Sequence, residues 1–518
     1  MSRTRNALVT AIFTYVNFGL AIVSGIVLVP LILRAVGAHA YGLWLTTAEL
    51  LAYAGMLDVG VLGILPWLVA QADGRGDVAE IRSLLSRALV IAAGAGIVLA
   101  VVVFGAGPGL LSALSLARGD FEAVVGPLLV VAALMAVTYP LRIFYAALVG
   151  LQDVMFTGGL AVSQTALSIG LTLWLLAEGY GLYAVAAAAV VPPAAAALAS
   201  VVRLRSVQPA VFGGWPAPDV RRIRAMLVDG VGAWIGGVGW TMVAATSAIV
   251  ITFLGHPEAV VVYACTAKLS QISFHLSRVL PDSTLVGLAQ IDGAQQRQRL
   301  RRAITTILRV HLVLSGAAAI VALSFNRLFV TVWVGDAFFG GAALNLALVG
   351  ALVSMSLAHG LVSCAAVLGY RRHVGMVTIA YGILTVTLAV LFGRGLGLAG
   401  VAMAPIVSGA VTTLPAGMFM LRRMSILSLR WFVRELWLPW AMRFVPVVTV
   451  IGLAAMASDR VASDHVIHSV LGVGSIVVYT LTSLSLCRDL PLAAALYGRL
   501  RRLGVARLVL RDEAKTWG

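Results

Sequence analysis

Long apolar segments recur along the whole chain, and they limit what it can fold into more than any motif does. A helix needs about 20 mainly apolar residues to cross a hydrocarbon core of roughly 30 Å. About fourteen segments of that length alternate with short polar breaks over the 518 residues. Only 11% of the residues are charged, whereas soluble domains usually contain about 25% charged residues. The sequence therefore predicts an all-α polytopic membrane protein.

The predicted spans form two sets of six and a final pair. The first set is Leu8–Leu33, Tyr41–Ala70, Leu84–Phe104, Val124–Leu148, Val154–Ala177 and Leu182–Val202. The second set is Met226–Leu254, Ala259–Leu285, Ala303–Phe325, Ala342–Leu368, Val374–Phe392 and Leu398–Leu421. The final pair is Trp437–Ala457 and Val466–Cys487.

The basic residues are distributed unevenly between the two sides of this topology. Most of the 37 Lys and Arg residues lie in loops on the side of both termini, and the basic amphipathic tail 488–518 adds to them. The loops of the other side contain only Arg34, Arg118, Arg327, Arg394 and Arg460. Since Lys and Arg collect in cytoplasmic loops, both termini are predicted to be cytoplasmic. The net charge of +16 then favours contact with anionic lipids at that face, and no nucleic-acid partner is expected.

Three short sequence patterns return in order, roughly 219 positions later. The segments 44–50, 146–150 and 179–182 correspond to 263–269, 365–369 and 395–398. We predict an N-terminal lobe (1–202), a cytoplasmic linker (203–225), a C-terminal lobe (226–421), an extra helix pair (422–487) and the tail. Repeats of the same orientation are typical of transporters whose substrate lies between the lobes near mid-membrane. A transporter is therefore predicted, not an enzyme, with no cofactor and no metal site.

A polar stripe marks the eighth predicted span. Lys268, Gln271, His275, Arg278 and Asp282 fall within an arc of roughly 80° on a helix. A charge at the bilayer centre costs about 2.5–3.5 kcal/mol even on the lenient insertion scale, so the stripe favours a cavity lining that attracts an anionic group such as diphosphate. The alternative is a buried polar seam in which Lys268 pairs with a carboxylate and Arg278 extends to the interface.

Other ionisable and polar side chains lie inside predicted spans. Glu49 and Asp58 are candidate coupling or gating carboxylates, although Asp58, just before Val59-Gly60, is equally typical of a helix cap. Arg142 is a candidate cavity cation, and Asn17 is a candidate cavity residue or a helix–helix contact. We interpret the remaining residues as interfacial because they lie near span ends: Asp229, His311 and Arg443.

Several motifs resemble those of the bacterial polysaccharide-biosynthesis flippases of the multidrug/oligosaccharidyl-lipid/polysaccharide exporter superfamily. They are Val29-Pro30-Leu31-Ile32-Leu33, Val36-Gly37, Tyr41-Gly42-Leu43-Trp44, Leu57-Asp58-Val59-Gly60, Gly74-Arg75-Gly76-Asp77, Gly150-Leu151-Gln152 and Trp333-Val334-Gly335. The resemblance implies a protein of the bacterial inner membrane that moves an undecaprenyl-diphosphate-linked oligosaccharide to the outer leaflet. It also implies that Arg142, Lys268 and Arg278 are the basic cavity residues.

Two related functions compete with this interpretation. A flippase for the peptidoglycan precursor lipid II shares fourteen helices and a cationic cavity with the polysaccharide branch. A cation-coupled multidrug exporter more typically has twelve helices and an acidic cavity, so Lys268 and Arg278 disfavour it. A membrane glycosyltransferase would need catalytic carboxylates and large loops, and neither is apparent.

Overall fold

A computed structural model describes residues 3–106, 118–293, 296–424, 426–458 and 465–487. Every regular element in these ranges is helical, which confirms the predicted all-α class. The basic tail and the predicted external position of Arg460 lie outside the described residues.

The chain divides into two compact units, Met1–Val261 and Val262–Gly518. The helices that begin in the first unit are α1 (Arg3–Ala54), α2 (Val61–Gly74), α3 (Val78–Val101), α4 (Arg118–Thr138), α5 (Arg142–Gly150), α6 (Val154–Ala177), α7 (Leu182–Val207), α8 (Val220–Ala244), α9 (Ser247–Phe253) and α10 (Pro257–Gly293). A π-helical turn, Val102–Ala106, follows α3, and short 3₁₀ turns, Tyr139–Leu141 and Pro209–Phe212, follow α4 and α7. The boundary between the units falls within α10.

The second unit continues with α11 (Arg297–Trp333), α12 (Gly341–Ala365), α13 (Arg371–Val411), α14 (Thr413–Arg423), α15 (Leu438–Ser458) and α16 (His465–Ser483). Short turns surround these helices: Asp336–Phe338, Ala366–Tyr370, Leu429–Trp431, Phe432–Trp437 and Leu484–Cys487. Within the described ranges, nine helices are long and apolar enough to cross a membrane. The helix α10, which carries the predicted polar stripe, is not among them.

Two predicted spans are interrupted, so the prediction of continuous helices there was wrong. The span Tyr41–Ala70 is split between α1 and α2, and the span Met226–Leu254 is split at Ala245 and Thr246 between α8 and α9. Hydropathy does not detect such breaks because the residues on both sides are equally apolar. The freed backbone groups need partners inside the protein, and side chains supply them at both breaks.

A close helix crossing fixes the first break. Gly60 has a left-handed backbone, with φ 77°, and a Cβ atom there would meet the carbonyl oxygen of Gly230 at 2.6 Å. The indole nitrogen of Trp234 donates a hydrogen bond to the Met56 carbonyl at 2.7 Å. Glycine at both contact positions therefore lets α8 pack directly on the broken segment.

Two of the repeated segments adopt the same unusual conformation. Gly181 precedes α7 with φ 56° and ψ −129°, and Gly397 interrupts α13 with φ 60° and ψ −142°. This geometry is essentially restricted to glycine. The likeness is local, and the predicted boundaries of the two six-helix lobes stay a prediction.

The predicted linker 203–225 packs against its own unit. Arg82 donates to the Gly213 carbonyl at 3.1 Å, and Ser86 donates to the Pro216 carbonyl at 2.9 Å. The rings of Phe144 and Phe212 stack at 6.0 Å. The linker is therefore held on the ends of α3 and α5.

The final helix pair packs on α11 through a buried tyrosine. The Tyr479 hydroxyl donates to the Val313 carbonyl at 3.1 Å and accepts a hydrogen bond from the Trp440 indole at 2.9 Å. Gly316 faces this hydroxyl, and a larger residue there would collide with it. Arg443 joins α15 to α16 by donating to the Thr482 carbonyl at 3.2 Å, and its predicted interfacial position stays a prediction.

We predict that Tyr479→Phe lowers the free energy of unfolding by about 1–3 kcal/mol, because it leaves the Trp440 N–H buried without an acceptor. Thermal unfolding of the purified protein in detergent measures this loss. Thr387→Ala is the matched control, since that exposed hydroxyl bonds only to its own helix. Equal unfolding temperatures for the two variants would contradict the assignment.

Candidate functional site

The polar stripe predicted on the eighth span forms on one continuous helix, α10. Gln271 and His275 are exposed, and Lys268 and Arg278 are partly buried. Lys268 makes no hydrogen bond or ion pair within the described part of the chain, so the predicted pairing with a carboxylate is not found there. The structure therefore places all five predicted stripe residues, including Asp282, on one face of α10.

The opposite face of α10 carries small hydroxyl side chains and is packed. Ser270, Ser273 and Ser277 are all buried, and the hydroxyl oxygens of Ser277 and Ser356 on α12 lie 3.3 Å apart. Small residues let neighbouring helices approach closely in a membrane. The helix thus has a packed hydroxyl face and a polar face with accessible positions.

A buried amide network fixes the first half of α10 relative to α11 and α12. The Asn326 side chain donates to the Thr266 carbonyl at 2.7 Å and to the Asn345 side-chain oxygen at 2.8 Å. The Thr266 hydroxyl accepts from the Gly340 N–H at 2.9 Å. This network holds α10 at Thr266, two residues before Lys268. It therefore fixes the position of the Lys268 backbone along the helix axis relative to α11 and α12.

Arg278 lies between an aromatic ring and a carboxylate. Its guanidinium is 5.1 Å from the Phe274 ring centroid and 3.4 Å from Asp282 Oδ2. Asp282 Oδ1 is 2.8 Å from His359 Nε2 on α12. The cation is therefore partly neutralised, whereas Lys268 has no such counter-charge within the described residues.

His311 was interpreted as interfacial because it lies near the end of a predicted span, and its depth in a membrane stays a prediction. The helix α11 extends to Trp333, so His311 lies inside it, and its side chain is only 2% exposed. Its ring lies 5.9 Å from the His359 ring. Sequence reasoning missed His359 and this cluster because its members come from three helices with no common spacing.

Glu49 caps the start of α9, at the second helix break. Its carboxylate accepts a hydrogen bond from the Ile249 N–H at 3.1 Å, at the start of α9. Tyr53, one turn further along α1, bonds to the Thr246 hydroxyl in the same break. The carboxylate thus has a structural partner in the first unit, and its coupling role stays a prediction.

Asp58 caps α2, as the structural alternative in the sequence analysis predicted. Its carboxylate accepts from the Leu62 N–H at 2.6 Å and from the Tyr139 hydroxyl at 3.2 Å, and the residue is 5% exposed. Arg142 is exposed, with its guanidinium 5.0 Å from the Tyr139 ring centroid. Asp58, Tyr139 and Arg142 therefore form one constellation in the first unit.

Asn17 forms a helix–helix contact. Its side-chain oxygen accepts a hydrogen bond from the Thr165 hydroxyl on α6 at 2.7 Å. This geometry fits the helix-contact alternative of the sequence analysis, and a cavity role for Asn17 stays a prediction.

No family model matches the sequence, and no curated protein matches it. Solved structures do match. An inward-closed lipid II flippase MurJ matches with a TM-score of 0.66 at 13% identity, over 93% of this chain and 99% of that chain. An inward-facing multidrug-resistance MATE transporter of the MOP superfamily has a TM-score of 0.60 at 13% identity and covers 79% of this chain and 94% of that chain.

A mutant of the Vibrio cholerae MATE transporter VcmN matches with a TM-score of 0.58 at 15% identity, over 82% of this chain and 98% of that chain. The chain shares its fold with these solved structures. At these identities the likeness defines the fold alone. The substrate must be argued from the chain's own residues.

We predict that Asp58→Asn retains the unfolding temperature and Asp58→Ala lowers stability by about 0.5–2 kcal/mol, because Asn still offers an oxygen to the Leu62 N–H and Ala does not. Thermal unfolding of the purified variants measures both. A matched transport measurement separates the two roles of Asp58. Normal transport by the folded Asp58→Asn protein supports a cap, and abolished transport would establish an essential titrating carboxylate.

Proposed function

We propose that the protein is a flippase that moves an undecaprenyl-diphosphate-linked oligosaccharide across a bacterial inner membrane. The observation that carries this proposal is the polar face of α10, where Lys268 and Arg278 flank Gln271 and His275. Such a face is costly against lipid tails and favourable in a water-filled path. Its positive charge selects for an anionic group.

The spacing of the two cations suits a headgroup that moves along the path. Ten residues separate Lys268 from Arg278, which is about 15 Å along the axis of a helix. One diphosphate cannot bridge that distance, so the two cations would bind it at successive depths. Gln271 and His275 lie between them and offer hydrogen-bond donors, so the headgroup keeps polar contacts during transfer.

The final helix pair supports a lipid-linked substrate over a drug. The MurJ structure covers 93% of this chain, whereas the two MATE structures cover 79% and 82%. The pair α15 and α16 packs on α11 through Tyr479. A multidrug exporter is also disfavoured by the cations on α10, which would repel a cationic drug.

Lipid II is the second candidate substrate. The likeness to the lipid II flippase MurJ over nearly the full length of both chains favours it. The N-terminal motifs favour the oligosaccharide. Both substrates carry a polyprenyl diphosphate, so the proposed role of α10 is the same for either.

The remaining features of the proposal concern the transport cycle. The predicted lobes 1–202 and 226–421 would alternate access to the two leaflets, with both termini in the cytoplasm. Coupling to an ion gradient through Glu49 stays a prediction. Anionic lipids would bind the basic cytoplasmic loops.

We predict that Lys268→Met lowers the flipping rate of a diphosphate-linked glycan lipid at least about tenfold, because the loss of a charge-assisted contact worth about 1.5–3 kcal/mol affects the bound headgroup. Lys268→Arg should retain most of the activity. Flipping is measured in proteoliposomes with a fluorescent lipid and a membrane-impermeant quencher.

The matched control is Arg394→Met, which removes one exposed positive charge in a predicted external hairpin. Its rate should equal that of the unaltered protein. Equal rates for Lys268→Met and Arg394→Met, with normal expression of both, would rule out the role of Lys268.

Depletion of the protein in its own cells identifies the substrate. We predict that an undecaprenyl-diphosphate oligosaccharide accumulates in the cells while the amount of lipid II does not change. Extraction and mass spectrometry of the polyprenyl diphosphates measures both. Accumulation of lipid II alone would show that lipid II, the second candidate, is the substrate and that the oligosaccharide is not.

A further inference from the structure

Three side chains with metal-binding atoms meet in the second unit, beside Arg278 at one end of the polar stripe of α10. They are Asp282 on α10, His311 on α11 and His359 on α12, and their ligand atoms all lie within 4.8 Å of one another. We propose that these residues bind a divalent transition-metal ion of the zinc class. The proposal stands whether or not the protein is a flippase.

The buried imidazole of His311, whose ring nitrogens have no hydrogen-bond partner of ordinary geometry in the described part of the chain, points to a ligand. The side chain is 2% exposed, and neither ring nitrogen makes a hydrogen bond of ordinary geometry within the described part of the chain. A buried polar group without a partner costs about 1–3 kcal/mol. A cation at the centre of the cluster would give one of these nitrogens its partner.

The packing around His311 fixes the ring in place. Gly360 lies against it on α12, and a Cβ atom at Gly360 would stand 3.3 Å from Nδ1 of His311. His359, the next residue before Gly360, turns its ring to 5.9 Å from that of His311. The two imidazoles are therefore held by a close contact of two helices, not by flexible loops.

The ligand set defines the class of metal. Two imidazoles and one carboxylate suit Zn²⁺ and its first-row neighbours, whereas Mg²⁺ and Ca²⁺ prefer oxygen ligands. Zinc sites have metal–ligand distances of about 2.0–2.2 Å, which place ligand atoms roughly 3.5 Å apart. Asp282 Oδ1 and His359 Nε2 are 2.8 Å apart, so a small movement of the Asp282 side chain, which faces the two held imidazoles, would bring its oxygen to that spacing.

Arg278 modifies the expected affinity. Its guanidinium lies 3.4 Å from Oδ2 of Asp282, while His359 contacts Oδ1. The carboxylate can therefore serve the arginine and a metal ion with different oxygens. The nearby positive charge opposes a second cation, so we expect weaker binding than in a closed four-ligand zinc site.

Metal titration of the purified full-length protein, stripped with a chelator, tests the proposal. We expect the unaltered protein to bind one equivalent of Zn²⁺ and to give the strong visible absorption of low-symmetry Co²⁺ when Co²⁺ is the probe. His311→Gln should weaken Zn²⁺ binding more than about 100-fold, since even outer partners of a metal site contribute 10–100-fold. His311→Cys retains a ligand that zinc accepts and should restore binding to within about tenfold.

His373→Gln is the matched control, because His373 is exposed at the start of α13. Zn²⁺ should raise the unfolding temperature of the unaltered protein and of His373→Gln, but not that of His311→Gln. Two results would overturn the proposal. One is Zn²⁺ binding to the unaltered protein no tighter than to His311→Gln, and the other is an equal loss in His373→Gln.

Discussion

Hydrocarbon offers no hydrogen-bond partners, and the rest of this structure depends on that constraint. It explains why every regular element in the described ranges is a helix. It also explains why both interrupted spans are supplied with partners from their own unit. Asp58 and Trp234 bond the backbone at the first break, and Glu49 bonds the start of α9 at the second. Two of the carboxylates that the sequence draws attention to, Glu49 and Asp58, are therefore part of the architecture.

The same constraint separates the two kinds of polar residue on α10. The serine side chains of one face are buried, and the Ser277 hydroxyl lies 3.3 Å from the Ser356 hydroxyl on α12. Charged and amide side chains that need water or a ligand form the other face. Both faces belong to the single helix α10, so neither face requires a separate soluble domain. The buried Asn326 and Asn345 amides then hold this helix in register with its neighbours.

Much of the fold was accessible from the sequence, because apolar length sets where helices cross and the positions of Lys268, Gln271, His275 and Arg278 set which face they share. The interruptions at 55–60 and 245–246 were not accessible, since the flanking residues are as apolar as those of an unbroken span. The cluster of Asp282, His311 and His359 was not accessible either. It depends on the packing of three helices. Its two histidines are 48 positions apart in the chain, yet their rings lie 5.9 Å apart in the structure.

Cysteine accessibility in native membranes tests most directly whether the polar face of α10 lines a water-filled path for a diphosphate. In a variant with Cys265, Cys364 and Cys487 replaced by alanine, Gln271→Cys should react with a charged, membrane-impermeant thiol reagent, and a polyprenyl diphosphate should protect it. Leu276→Cys, exposed on the same helix but outside the polar arc, should stay unreactive. A Gln271→Cys thiol that is as unreactive as Leu276→Cys would contradict the account.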